Sequence, residues 1–241
     1  MTEEEVFCLP VDPIPCCLAT APMLSSASFA GRGVLGVIID FVLVLAVLIF
    51  SIVVHEVAHG YAAHRLGDPT ARLSNRLTMN PLAHVDLMGS IVVPLVLWFT
   101  SHYIFAWAKP VPFDPRYFRN PRKGIMIVGA AGPASNLGLA IVSGLLCRLV
   151  EGFNPLLGFF LSLMCATNIL LCVFNLIPIP PLDGSRVLMG ILPPPLAWRY
   201  AQFERYGFIV VAILAFSGIL FRVIWPVVAV GEMLLMGHVG Y

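Results

Sequence analysis

Charge is what this sequence has least of. Only 11% of its 241 residues are Asp, Glu, Lys or Arg and 59% are hydrophobic, whereas soluble domains carry about a quarter charged residues. With a mean hydropathy of +0.91, the composition excludes an ordinary soluble domain and reads as a multi-span membrane protein. The net charge of +1 gives no basic surface for nucleic acid. Metal-type cysteine pairs are also lacking. Cys16 and Cys17 are adjacent, and Cys147, Cys165 and Cys172 fall inside apolar runs, where a free thiol packs as a small hydrophobe. Nothing in the sequence supports a disulfide or lipid anchor at Cys8, Cys16 or Cys17. The N-terminus, MTEEEVFCLPVDPIPCC, lacks the basic start of a secretory signal. Residues 1–30 therefore read as a leader, surface-lying or poorly ordered, and 31–241 as a single membrane domain without internal repeats.

What the chain does have is apolar length. Residues 34–54 hold one charge, Asp40, while 87–108, 124–147, 152–177 and 206–221 hold none. A bilayer core about 30 Å thick takes roughly 20 such residues as a helix. The first helix is expected over 34–66, stopped by Gly67 and Asp68-Pro69. TARLSNRLTMNP, residues 70–81, alternates in polarity and predicts a strand or hairpin at the membrane surface. Pro94 interrupts 87–108, and a basic, proline-rich loop follows at 109–123. The Gly, Ala and Ser residues of 124–147 allow close helix approach. Further helices are expected over 156–177 and 206–221; beyond them, 223–237 either extends the last helix or lies on the surface. The fold class is all-α: a polytopic membrane helix bundle with a re-entrant or surface segment and a short membrane-associated β-hairpin.

His55-Glu56-Val57-Ala58-His59 carries the chemistry. Residues four apart on an α-helix lie about 40° from each other around the axis, so both imidazoles can reach one metal ion. Glu56 then sits beside the metal's open position without ligating it. This is the arrangement of a metallohydrolase, in which zinc acidifies a water and a glutamate moves its proton. Ionisable groups cost several kcal/mol within a membrane unless paired, ligated or hydrated, so they are functional candidates there. The bland alternative is a neutral hydrogen-bonded cluster between helices.

A catalytic zinc site needs a third protein ligand and an open position. His64, His84, His102, Asp86 and Asp183 are the candidates. His64 lies five residues past His59, about 140° around the helix, and reads as an interfacial histidine. His84 and Asp86 fit an outer or surface-loop role. Asp183 is favoured: it ends NLIPIPPLDG, a proline-stiffened stretch that can lie unwound within protein at membrane depth. Its ordinary alternative is to cap a short helix over 184–192.

With HEVAH, GPASN and NLIPIPPLDG in this order, the chain resembles the site-2 protease family of intramembrane zinc metalloproteases over roughly residues 34–192. The resemblance implies one Zn2+ per chain held by His55, His59 and Asp183, and Glu56 as general base. It implies that Asn175 binds substrate or stabilises the oxyanion, and that Gly132, Pro133 and Asn136 belong to a structural helix at the catalytic core. The expected substrate is a transmembrane protein helix within the lipid bilayer, unwound before cleavage, with the 70–80 segment holding the extended peptide by strand addition. No stretch is long enough for a PDZ domain, and 87–108 is an extra apolar block.

The motifs also constrain topology. The site joins the C-terminal ends of the first helix and of 156–177, so both lie towards one membrane face, where helix 124–147 must begin. Hence 87–108 crosses not at all or twice, and a re-entrant hairpin fits. On the site-bearing face lie Arg65, Arg72, Arg76, Lys109, Arg116, Arg119, Arg122, Lys123, Arg186, Arg199 and Arg205, with only Arg32, Arg148 and Arg222 opposite. The positive-inside rule makes that face cytoplasmic and puts both termini outside. A membrane metal-binding or transport protein and an inactive, protease-like scaffold are the competing functions.

Overall fold

Five Asx-Pro dipeptides start five helical segments. In the computed structural model, which describes residues 34–84, 86–93, 95–96 and 109–237, Asn80, Asp114, Asn120 and Asn154 accept the backbone N–H of Leu82, Arg116, Lys123 and Leu157 respectively. Asp68 does the same for Thr70. The side chain supplies the acceptor that a helix N-terminus lacks, and the proline presets the first helical residue. The elements are α1 (Val34–Arg65), α2 (Thr70–Leu73), α3 (Pro121–Val150), α4 (Pro155–Asn175), α5 (Asp183–Ile191), α6 (Pro194–Ala201), α7 (Glu204–Phe216) and α8 (Ile219–Met236). Short 3-10 helices occupy Pro81–Ala83 and Pro115–Tyr117, and a π-helical turn occupies Leu87–Val92. Among the described residues there is no strand.

Among the described residues, four helices are long and apolar enough to cross a membrane: Ile38–Arg65, α3, α4 and α8. The chain is a multi-pass membrane protein of all-α class. α3 is the central post, packed along α4 and against α1 and α5, with α8 closing on α4 and α3. The buried positions of α3 are mostly small: Gly124, Gly129, Gly132, Ala140, Ser143 and Gly144. Neighbouring helices can therefore approach its backbone. Ala140 and Cys147 of α3 meet Cys165 and Ile169 of α4 and Leu220, Ile224 and Val228 of α8 in the main apolar cluster. Cys147, Cys165 and Cys172 are free and buried, as core-filling thiols should be.

Three expectations need correction. The 70–81 segment is not a strand or hairpin. Asp68, fully buried, accepts both the N–H and the hydroxyl of Thr70 and winds Thr70–Leu73 into a helical turn. Asn75, at φ 54°, then reverses the chain. Local side-chain capping outweighed the alternating pattern, and that segment presents no strand edge to a peptide. Second, the run 206–221 is not one span. Gly218, at φ 72°, separates α7 from α8, and the candidate span is Ile219–Met236. Arg222 therefore sits at the start of that span rather than past its far end. Third, His84 is buried rather than surface-lying, with Nε2 on the Thr78 carbonyl at 2.9 Å.

Other expectations hold. α1 ends where Gly67 adopts φ 101°, a conformation that costs residues with a Cβ. The N–H of Lys109 donates to the carbonyl of His84 at 2.8 Å. The two ends of the apolar block between them are thus tied together, so the chain leaves and returns at one place, as the parity argument requires. The leader over 1–30, His102 and all of 97–108 lie outside the described residues.

Gly207 of α7 abuts the linker that leads to Asp183. A Cβ there would lie 1.9 Å from the Pro180 carbonyl oxygen. Gly207→Ala is expected to destabilise the protein by roughly 1–3 kcal/mol, read as a lowered Tm in detergent.

Candidate metal centre

α1 carries His55 and His59 on one face, four residues apart, with ring centroids 4.6 Å from each other and nearly perpendicular. Asp183 arrives from the opposite direction. α4 ends at Asn175, the proline-rich linker turns without regular helix, and Asp183 opens α5. Its carboxylate does not cap that helix. Oδ2 reaches into the bundle instead, 3.0 Å from His55 Nε2 and 3.1 Å from His59 Nε2, while the two nitrogens lie 3.0 Å apart. All three residues are buried.

The outer atoms of these ligands are also tied down. His59 Nδ1 lies 2.6 Å from the carbonyl of Val128. A carbonyl only accepts, so this nitrogen carries the proton and leaves the lone pair on Nε2. His55 Nδ1 meets Asn136 Oδ1 at 2.5 Å, which sets the same tautomer. Two imidazole lone pairs and a carboxylate oxygen within 3.1 Å repel one another unless a cation lies among them. Tetrahedral zinc with bonds of about 2.0–2.1 Å holds its ligand atoms about 3.3 Å apart, close to the separations found. The donor set, two nitrogens and one oxygen with ordered outer partners, fits zinc.

Arg186, one turn along α5, donates to the other carboxylate oxygen of Asp183 at 3.2 Å and lies over the Phe113 ring. α3 comes so close that a Cβ on Gly132 would sit 2.4 Å from His59 Nε2 and 2.6 Å from His55 Nε2. Only glycine leaves room for the rings and an ion.

Glu56 lies outside this triangle. Its Oε2 accepts the N–H of Val111 at 2.9 Å, from the proline-rich loop after the apolar block. Asp68 Oδ2 takes the N–H of Asp114 at 2.6 Å, so two acidic side chains hold one loop beside the site. Asn175, the last residue of α4, is partly buried and donates to the Leu171 carbonyl at 3.0 Å. His64 and Asp86 do not join the cluster; Asp86 caps Gly89 at 2.7 Å. The roles of Val128, Asn136, Val111 and Arg186 around these residues were not read from sequence. The basic residue three places after Asp183 was the one signal available for Arg186.

Fold and site together define a helical membrane metalloprotein with a buried histidine–histidine–aspartate centre. The sequence pattern of peptidase family M50 matches residues 151–218. YwhC of Bacillus subtilis, named as a candidate zinc metalloprotease, is 39% identical over 77% of this chain and 85% of its own length. Rip2 of Mycolicibacterium smegmatis, named likewise, is 31% identical over 76% of this chain and 70% of its own. Zinc metalloprotease MJ0392 of Methanocaldococcus jannaschii is 29% identical over 62% of the chain and 34% of its own. No solved structure matches significantly. The chain belongs to peptidase family M50, the site-2 protease family, and is a zinc metalloprotease.

Gly132→Ala places a methyl group where the two imidazoles converge. Zinc measured by atomic absorption should fall well below one ion per chain in this variant while helical content is retained.

Proposed function

We propose that the chain hydrolyses peptide bonds in or near transmembrane segments of membrane-protein substrates, at the cytoplasmic side of the bilayer. The observation that carries this reading is the meeting of three metal-binding atoms, buried, at one end of a membrane helix bundle. His55, His59 and Asp183 hold the zinc. When bound, zinc lowers the pKa of a water to about 7 and polarises the scissile carbonyl. Glu56, held through Oε2 by the Val111 amide, takes the water's proton on its other oxygen and delivers it to the leaving amine nitrogen. Arg186 orients the Asp183 carboxylate so that one oxygen is spent on the guanidinium and the other faces the histidines. Asn175 has one side-chain N–H engaged with Leu171 and a second for the substrate carbonyl or the oxyanion.

The substrate helix must unwind locally, since its own hydrogen bonds shield the carbonyl under attack. The basic loop between the apolar block and α3, together with the basic residues of α5 to α7, supports a cytoplasmic orientation of the site and external termini. Regulated intramembrane proteolysis of a membrane-protein substrate is the biological form this chemistry suits.

Glu56→Gln keeps an acceptor for Val111 and removes the base. Cleavage of a reporter transmembrane helix in liposomes should drop at least about 100-fold with zinc content unchanged. Loss of zinc, or unchanged cleavage, would overturn the assignment of Glu56 as the general base. Chelator treatment should abolish cleavage by wild-type protein, and stoichiometric zinc should restore it.

A further inference from the structure

A line of buried polar side chains runs away from the metal centre through the bundle, and neither the motifs nor the proposed chemistry uses its far end. Asn136 Oδ1 faces His55 Nδ1 at 2.5 Å, and Asn136 Nδ2 donates to Asn168 Oδ1 at 2.8 Å. Asn168 Nδ2 donates in turn to the Met164 carbonyl at 2.8 Å and to Ser51 Oγ at 2.9 Å. Asn136, Asn168 and Ser51 have no solvent exposure and come from α3, α4 and α1.

The line has a direction. A side-chain amide can present either its oxygen or its nitrogen to a neighbour, and the surrounding hydrogen bonds decide which. The Met164 carbonyl can only accept, so Asn168 must turn its NH2 towards it and its oxygen towards Asn136. Asn136 must then turn its NH2 to Asn168 and its oxygen to His55. His55 answers with a proton on Nδ1, which leaves the Nε2 lone pair facing His59 and Asp183.

We infer that Asn168 is a positioning residue for the metal centre: anchored on Met164 and Ser51, it dictates the orientation of the Asn136 amide and thereby presents His55 Nε2 as a ligand. This rests on the reading that His55 holds zinc. The residue acts through two hydrogen bonds and touches neither metal nor substrate. Its effect belongs first to metal affinity and ligand geometry.

The test uses the full chain in detergent, with zinc affinity read by chelator competition and ligand geometry by visible absorption of the cobalt(II)-substituted protein. Asn168→Leu, close in volume but without polarity, should weaken zinc binding about 10–100-fold, the range found for lost outer partners of ligating histidines, and change the cobalt bands. Asn168→Asp, in its protonated form, keeps an oxygen for Asn136 and a hydroxyl for Met164, and should restore affinity and spectrum. Thr167→Val, at the adjacent buried position off the line, should leave both unchanged. Wild-type affinity and bands in Asn168→Leu would overturn the inference. If that variant does not fold, Asn168→Asp decides alone: near-wild-type zinc binding supports the directed line, and a tenfold loss overturns it. Wild-type protein that binds no zinc sinks the metal-site reading itself, a result distinct from indifference at Asn168.

Discussion

Repulsion among three electron-pair donors is the constraint on which the rest of the site depends. Two imidazole nitrogens and a carboxylate oxygen stand 3.0–3.1 Å apart in a buried pocket. No apolar packing produces that arrangement, and without a cation the fold would be working against itself. With zinc among them the same contacts become the strongest bonds in the bundle, and they join α1 to a linker more than a hundred residues further on. The small residues of α3 and the absence of a side chain on Gly132 follow from the need to bring a third helix against this centre.

Around the metal triangle, each ligand is oriented by a group that can act in one way only. The Val128 carbonyl accepts from His59, and Arg186 donates to Asp183. The amide line through Asn136 ends on the Met164 carbonyl. Directed partners of this kind fix tautomer and ring angle, which is what ligand basicity and geometry depend on. Glu56 is treated differently: a single backbone amide from the 109–114 loop holds one of its oxygens. The same loop is bolted by Asp68 and tied back to His84. One segment therefore links the turn after α1, the apolar block and Glu56.

Much of this was legible in the residues. HEVAH on a membrane-grade helix announces a metal pair, because a period of 3.6 residues puts positions four apart on one face. The unwound, proline-stiffened stretch before Asp183 was readable as the source of the third ligand. That the apolar block must return to its starting side followed from parity alone. The Asx-Pro starts were equally available, and the one at Asp68 was read as a helix stop when it is also a helix start. Taking 70–81 as a strand went wrong because alternation of polarity in a short segment is weak beside two hydrogen bonds from a buried carboxylate. Taking 206–221 as one span went wrong because hydropathy is blind to a left-handed glycine.

Sequence alone determined the membrane class and singled out His55, His59 and Asp183, which meet as a candidate metal group, since these follow from composition, run length, helical period and motif. Only the tertiary structure decided that Asn168 and Ser51 stand behind His55, that Val111 holds Glu56, and that Arg186 takes the second oxygen of Asp183. The physical reason is direction. Periodicity says which face a residue occupies, whereas a hydrogen bond depends on where distant backbones place a donor and an acceptor, and that is settled only when the helices have packed.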